Sequence, residues 1–516
     1  MQKRKTIVII GAGVAGLSAG IYAEQHGFHA ILLEKNPSVG GMCTGWYRKG
    51  YYLDGCVHWL TGTKEGTLLN EMWKNLDVFK SQDDILYLPS WGTYEYQGHK
   101  VTMWTDLDRA EREWKELSPV DGKMIHKFFK MVHDFTKVEL PLDLPLSMMP
   151  LKRKLKLGID VLKVWPSYLL TMGQSCEKFA NKFKHPTIRF ALKKCQIGEG
   201  NLFSMIYSYA TIVNGDGGIP VGGSKPMVER MKEKFLSLGG TLKLNANVES
   251  VVIREDAARG VKLSNGQIVE GDAVVSCLDA NYTLKKLLRD QYPLPSFERR
   301  FKNPKLNNSP SCMLLSFSVK EDNGLPIPYS FETEPFEAGG IMIDHITVRS
   351  YSYDKTFSRN GRTVMTVMVD QSNKEYPFWS QLSKDRAKYN EYKNNIAHQV
   401  MERVGEHFPQ LKGDIELLDI ATPYTFKRYV NTSNGVYMSF FFTTRGGMYT
   451  HSGHLKGLKD FYLSGQWLQG PGGLPIAMTQ GKFAIQRICK KENLSFVFSP
   501  LPKHKKAKPY RAETKI

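Results

Sequence analysis

"TIVIIGAGVAGLSAGIYAEQHGFHAILLEK", residues 6–35, reads as a strand, a tight turn, a helix and a second strand. Ile7 to Ile10 is an unbroken apolar run, the pattern of a strand buried on both faces of a parallel sheet. Gly11, Gly13 and Gly16 then give G-x-G-x-x-G. The first glycine permits the turn, the second lets a pyrophosphate approach the backbone, and the third lets the helix pack on the strand. Ala15 lies in the first turn of that helix, whose free N–H groups face the phosphates. The second strand, Ala30 to Leu33, ends at Glu34, 18 residues beyond Gly16, with Lys35 next to it. An acid there accepts hydrogen bonds from an adenosine ribose and disfavours a 2′-phosphate. The stretch predicts an α/β dinucleotide-binding domain.

A second glycine-rich loop opening a helix lies near the other end, in "GQWLQGPGGLPIAMTQGK", residues 465–482. Pro475 suits the first turn of that helix. Between the two loops the chain is too long for one ordinary core, at 516 residues in all, and two domains or one large interrupted domain are expected. Apolar residues make up 41% and charged residues 23%, an ordinary globular balance. Seven cysteines form no CxxC pair, which speaks against a zinc ribbon or a disulfide framework and for reduced thiols in a cytoplasmic protein. No metal site is expected. The opening "MQKRKTIVIIGAG" imitates a signal peptide, but its apolar run is short and ends in glycines rather than a cleavage site. No stretch approaches the roughly 18 apolar residues of a membrane-spanning helix. The net charge of +19, from 70 basic and 51 acidic residues, would suit nucleic acid or anionic lipid; no nucleic-acid motif accompanies it.

The residues after the acid distinguish one dinucleotide from another. A nicotinamide dehydrogenase would continue with further strand–helix repeats, whereas this chain gives "NPSVGGMCTGWYRKGYYLDGCVHWLTG", 36–62. Gly40 and Gly41 let backbone run against a cofactor, a flavoprotein pattern. Here the sequence resembles the FAD-dependent phytoene (carotenoid) desaturase and retinol saturase family, with amine oxidases as more distant relatives. The resemblance extends to "GGIPVGGSKPMVERMKEKFLSLGGTLKLNANVESVVIRED" (217–256), "IATPYTFKRYVNTSNGVYM" (420–438) and the 465–482 loop.

What the resemblance implies is an α/β fold with a Rossmann-type, glutathione-reductase-like FAD-binding domain and an interleaved α+β substrate domain. The FAD-binding domain would be discontinuous, over 1–65, 215–285 and 445–492. The substrate domain would take 66–214 and 286–444, and 493–516 would be a basic tail. Backbone at Val248 would meet the adenine. Gly465 and Gln466 would lie along the ribitol and pyrophosphate. Gly473, Leu474, Pro475 and Ile476 would bring the last helix, positive end first, to the flavin pyrimidine. Many relatives have an arginine where this chain has Met42, and an acid where it has Gln466, departures that lean away from amine oxidases. The implied activity is desaturation, or the reverse saturation, of carbon–carbon bonds in an apolar polyene or isoprenoid lipid. A flavin amine oxidase and a non-catalytic prenyl-lipid escort on the same fold are the alternatives. Bound hydride chemistry requires no protein nucleophile; His58 is a weak candidate acid or base, Asp54 a structural residue, and Arg445 a candidate pocket residue.

Three runs, "CMLLSFSVK", "IMIDHITVRSY" and "RTVMTVMVD", alternate as strands, and a helix is expected near 383–407. Residues 140–172 interleave leucines, methionines, Trp165 and Tyr168 with Lys152, Arg153, Lys154, Lys156 and Lys163. This is the composition of an interfacial helix on anionic lipid, or of a core-packed helix with a basic outer face.

Overall fold

The computed structural model of the chain describes residues 4–139, 141–163, 165–195, 200–441 and 449–497. Arg445, most of the basic tail and the side chain of Lys163 lie outside the described residues.

The first strand, Thr6–Ile10, is buried from both sides because its apolar run has no polar alternation. Ile7 and Ile9 enter one core, Val8 and Ile10 another. It is the centre of a five-stranded, all-parallel sheet in the order Thr241–Lys243, His29–Leu33, Thr6–Ile10, Ala273–Ser276, Phe461–Leu463. Three distant parts of the chain therefore meet in one sheet. On the Ile7 side pack helix Val14–Gln25 through Leu17 and Ile21, helix Ser224–Ser237 through Met227, Met231 and Phe235, and helix Leu474–Lys491 through Ile485 and Ile488. The same core takes in Met72, Trp73, Val78 and Phe79. On the Val8 side lies an antiparallel meander, Val248–Arg254, Ala257–Leu263 and Ile268–Glu270, turned at Asn265–Gly266.

The alternation of Leu242, Leu244, Ala246 and Val248 suggests one strand, but it serves two sheets. Asn245 takes a left-handed conformation (φ +52°), which an asparagine adopts at little cost. The chain thereby leaves the parallel sheet after Lys243 and enters the meander at Val248.

A second, mixed sheet of eight strands is built around Pro310–Lys320, Arg362–Ser372 and Ile341–Ser350, the three alternating runs of the sequence. Its residues divide by parity. Met313, Leu315, Phe317, Val348 and Val367 face helix Arg386–His407, packing on Ile396, Val400 and Val404. The alternate residues turn towards the parallel sheet. A helical cluster around Trp114, Phe128, Phe179 and Tyr209 closes the remaining side.

Helices Leu151–Lys163 and Trp165–Met172 stand apart from these cores. Leu151, Leu155, Ile159 and Leu162 are 72, 62, 57 and 61% exposed, and Leu169 is 53% exposed. Their i, i+4, i+8, i+11 spacing makes one apolar stripe on solvent, so these leucines are not core residues. Among the described residues no helix is long and apolar enough to cross a membrane.

Candidate cofactor and substrate site

The two glycine loops converge. Helices Val14–Gln25 and Leu474–Lys491 pack backbone to backbone, with Ser18 Oγ donating to Met478 O at 2.7 Å. A Cβ on Gly481 would lie 2.3 Å from Ala15 O, so the crossing requires glycine. Gly16 is needed for the same reason on the other face, where a Cβ would meet Gly11 O at 1.9 Å. The paired-glycine segment runs alongside: Gly40 N donates to Ala12 O at 2.8 Å. Glu34 braces the turn, accepting from Ala12 N and from both Asn36 N and Asn36 Nδ2, each at 2.9 Å.

One cavity of about 580 Å³ follows from this convergence. Gly11, Gly13, Ala15, Glu34, Lys35, Gly40, Gly41, Met42, Val248, Gly465, Gln466, Gly473, Leu474, Pro475 and Ile476 all line it. Gly16 lies behind the wall, holding helix to strand. Lys35 reaches sideways, donating to Asn431 Oδ1 at 3.0 Å, and burial lowers its pKa. Met42 packs its thioether against the cluster of Cys312, Leu314 and Phe426. Gln466 spans the last loop: Nε2 donates to Tyr437 O and Oε1 accepts from Gly473 N, both at 3.0 Å.

Asp54 is a clamp. It accepts from Cys56 N at 2.8 Å, and from Ser224 N and Ser224 Oγ at 2.6 Å, tying the 54–58 segment to the start of helix Ser224–Ser237. Burial raises its pKa against these bonds. His58 lines the cavity, and the surface it leaves accessible faces that space. Burial, then the charge of Arg349, pushes its imidazole down to about 3. It is neutral at any ordinary pH.

Beyond the glycine cradle the cavity continues into a chamber that the sequence did not announce. One wall is aromatic, with Trp59 and Trp91 edge to face at 6.1 Å, then Tyr94, Phe203 and Tyr207. The other is the second sheet, presenting Cys312, Leu314, Thr347, Arg349, Thr366, Met368 and Asp370. These are the alternate residues of the three strands. Desolvation raises the pKa of Asp370. The available signal was the polar parity of "HITVRS" and "MTVMVD", but polar alternation ordinarily marks a solvent face.

Sheet, meander and paired glycine loops define a dinucleotide-binding oxidoreductase. The flavin containing amine oxidoreductase family matches residues 14–489, and the chain belongs to it. A phytoene desaturase (lycopene-forming) of Pseudescherichia vulneris is 28% identical over 294 residues, covering 55% of this chain and 58% of that enzyme, so this match spans little more than half of either. A prolycopene isomerase of Daucus carota is 25% identical over 83% of this chain and 71% of its own. A 4,4'-diapophytoene desaturase of a Methylomonas species is 21% identical over 96% and 97%. Among solved structures, a putrescine oxidase variant aligns with TM-score 0.59 at 14% identity, over 95% of this chain and 99% of that one. An oxidoreductase from Methanosarcina mazei aligns with TM-score 0.56 at 14% identity, over 93% and 100%. At these identities the structures share the fold.

FAD is the cofactor, and the residues present fit it. Two helix N-termini, at Val14 and Leu474, open on the same cavity with no acid in either first turn. Uncapped N–H groups of this kind bind anionic groups. Glycine on both sides keeps the space between them free of side chains.

Proposed function

We propose that this FAD-dependent oxidoreductase desaturates or saturates carbon–carbon bonds of an apolar polyene, of the carotenoid or retinoid kind. The observation that carries the reading is the continuity of the cavity. The glycine cradle runs directly into a chamber walled by Trp59, Trp91, Tyr94, Phe203 and Tyr207, flat surfaces suited to a conjugated chain. The relatives named for phytoene, diapophytoene and prolycopene point the same way.

In this reading Gly11, Gly13 and Ala15 receive the pyrophosphate, Glu34 the ribose and Val248 the adenine. Gly465 and Gln466 follow the ribitol, and the start of helix Leu474–Lys491 faces the flavin. Bound FAD supplies a two-electron acceptor or donor for hydride. The chain's own part is to hold the reacting bond against the cofactor and to exclude water. His58, with a pKa of about 3, is too weak a base for proton transfer at neutral pH and serves as cavity wall.

The exposed leucine stripe of 151–162, flanked by Lys152, Arg153, Lys154 and Lys156, supports peripheral contact with an anionic bilayer, from which an apolar substrate would enter. Amine oxidation is disfavoured by Arg349, whose fixed positive charge in the chamber would repel a protonated amine.

The test is spectroscopic. Dithionite-reduced enzyme should be reoxidised by a polyene, or oxidised enzyme bleached by a more saturated one, while simple amines do neither. Bleaching by amines with no response to carotenoids or retinoids would replace this reading with amine oxidation.

A further inference from the structure

The chamber holds an arginine that a pure hydrocarbon leaves without purpose. Arg349 stands on strand Ile341–Ser350, directly across from Thr366, and lines the cavity. It is 9% exposed, and its Nη1 has no hydrogen-bond partner. Among the described residues no carboxylate forms an ion pair with it. The acid of the neighbouring strand, Asp370, is four residues beyond Thr366, about 13 Å along the strand. The charges Asp370 feels are those of His345 and Lys194.

The groups that do feel the charge of Arg349 are His58, Tyr94, Tyr351 and Tyr353. All four are neutral: the imidazole is held unprotonated, and burial raises the three phenols. The Tyr353 hydroxyl lies against the guanidinium, a neutral group that offers it no counter-charge. A guanidinium taken out of water with no counter-charge is strongly unfavourable, and a fold keeps one there when a ligand supplies the anion. The helix N-terminus at Val14 already provides for the cofactor's pyrophosphate, so the anion belongs to the substrate. A guanidinium fork matches the two oxygens of a carboxylate. Phe203 and Tyr207, which line the same cavity, stack on each other at 6.0 Å and 8°, a flat apolar wall for a planar chain.

We propose that Arg349 is the binding site for a carboxylate at one end of the substrate, making that substrate a polyene acid rather than a polyene hydrocarbon. The proposal rests on the polyene reading above and deepens it.

FAD-loaded enzyme is titrated with all-trans-retinoic acid, its methyl ester and β-carotene, following quenching of tryptophan emission. The acid should bind at least about tenfold more tightly than the ester, the scale of one charge-assisted contact. Arg349→Met should erase that preference while FAD content and ester affinity stay as they were. Arg349→Lys should retain part of it. Equal binding of acid and ester by the unmodified enzyme overturns the proposal, and that comparison needs no variant. Loss of FAD together with ester binding in Arg349→Met would assign the arginine to the cofactor and also overturn it. If ester and β-carotene bind and the acid gains nothing, only the carboxylate site falls. If none of the three binds, the polyene reading falls first and takes this one with it.

Discussion

Gln466 ties the last glycine loop together through two hydrogen bonds. One amide end donates to Tyr437 O while the other accepts from Gly473 N. A carboxylate would keep the second bond and set a negative oxygen against the Tyr437 carbonyl. Gln466→Glu should therefore cost about 1–3 kcal/mol of stability, read from urea denaturation, and loosen FAD with it. Glu34 shows a related division of labour. The sequence gives it to the ribose; in the folded chain it also braces the turn through Ala12 and Asn36. Glu34→Ala should weaken FAD binding by roughly 1–3 kcal/mol in a fluorescence titration, and unchanged affinity would remove it from the site. That the glycines and Glu34 gather at one turn beside the cavity was legible in advance because their spacing is local. Arg349 was not. It becomes a cavity residue only when a strand more than 300 residues downstream of the first loop turns its polar parity inward, and no local pattern carries that information.

At the level of elements, strands and helices were readable wherever one period ruled. Pro310–Lys320, Ile341–Ser350, Arg362–Ser372 and Arg386–His407 fall on the runs that predict them. The run at 242–248 was misleading because alternation records burial and not which sheet provides it. The crossing of helices Val14–Gln25 and Leu474–Lys491 could not be read at all, since glycine at 481 has meaning only against Ala15. Gly481→Ala should push the helices apart, costing about 1–3 kcal/mol and releasing FAD at lower temperature in a thermal melt. The exposed stripe makes the opposite prediction. Replacing Leu155, Ile159 and Leu162 by serine should abolish capture by anionic vesicles and shift stability by no more than about 0.5 kcal/mol, because these side chains are more than half exposed and lie outside the cores. Binding of the unaltered protein should fall as salt rises. Equal binding to neutral vesicles would remove the electrostatic part of the proposal.

For the molecule as a whole, the most informative titration is that of Lys482. It is buried in helix Leu474–Lys491, donates to Leu142 O at 3.3 Å, and burial pushes its pKa down to about 7. In the unfolded chain the same lysine stays protonated to its ordinary value near 10.5. Between these limits the unfolded state binds the extra proton, so this group makes the fold more stable as pH rises from about 7 towards 10. Denaturation midpoints at pH 7 and pH 9.5 should differ in that direction, and Lys482→Met should flatten the difference. The lysine belongs to the same helix that completes the cofactor cradle, and this has a consequence for how the protein comes into being. A ribosome delivers residues 6–41 well before residues 465–491, yet the contact of helix Val14–Gln25 with helix Leu474–Lys491 needs both. The nascent chain carries a half-built nucleotide site across the more than 400 residues between them. Contacts of such long sequence separation form slowly, and a chain interrupted before residue 465 would be a colourless protein.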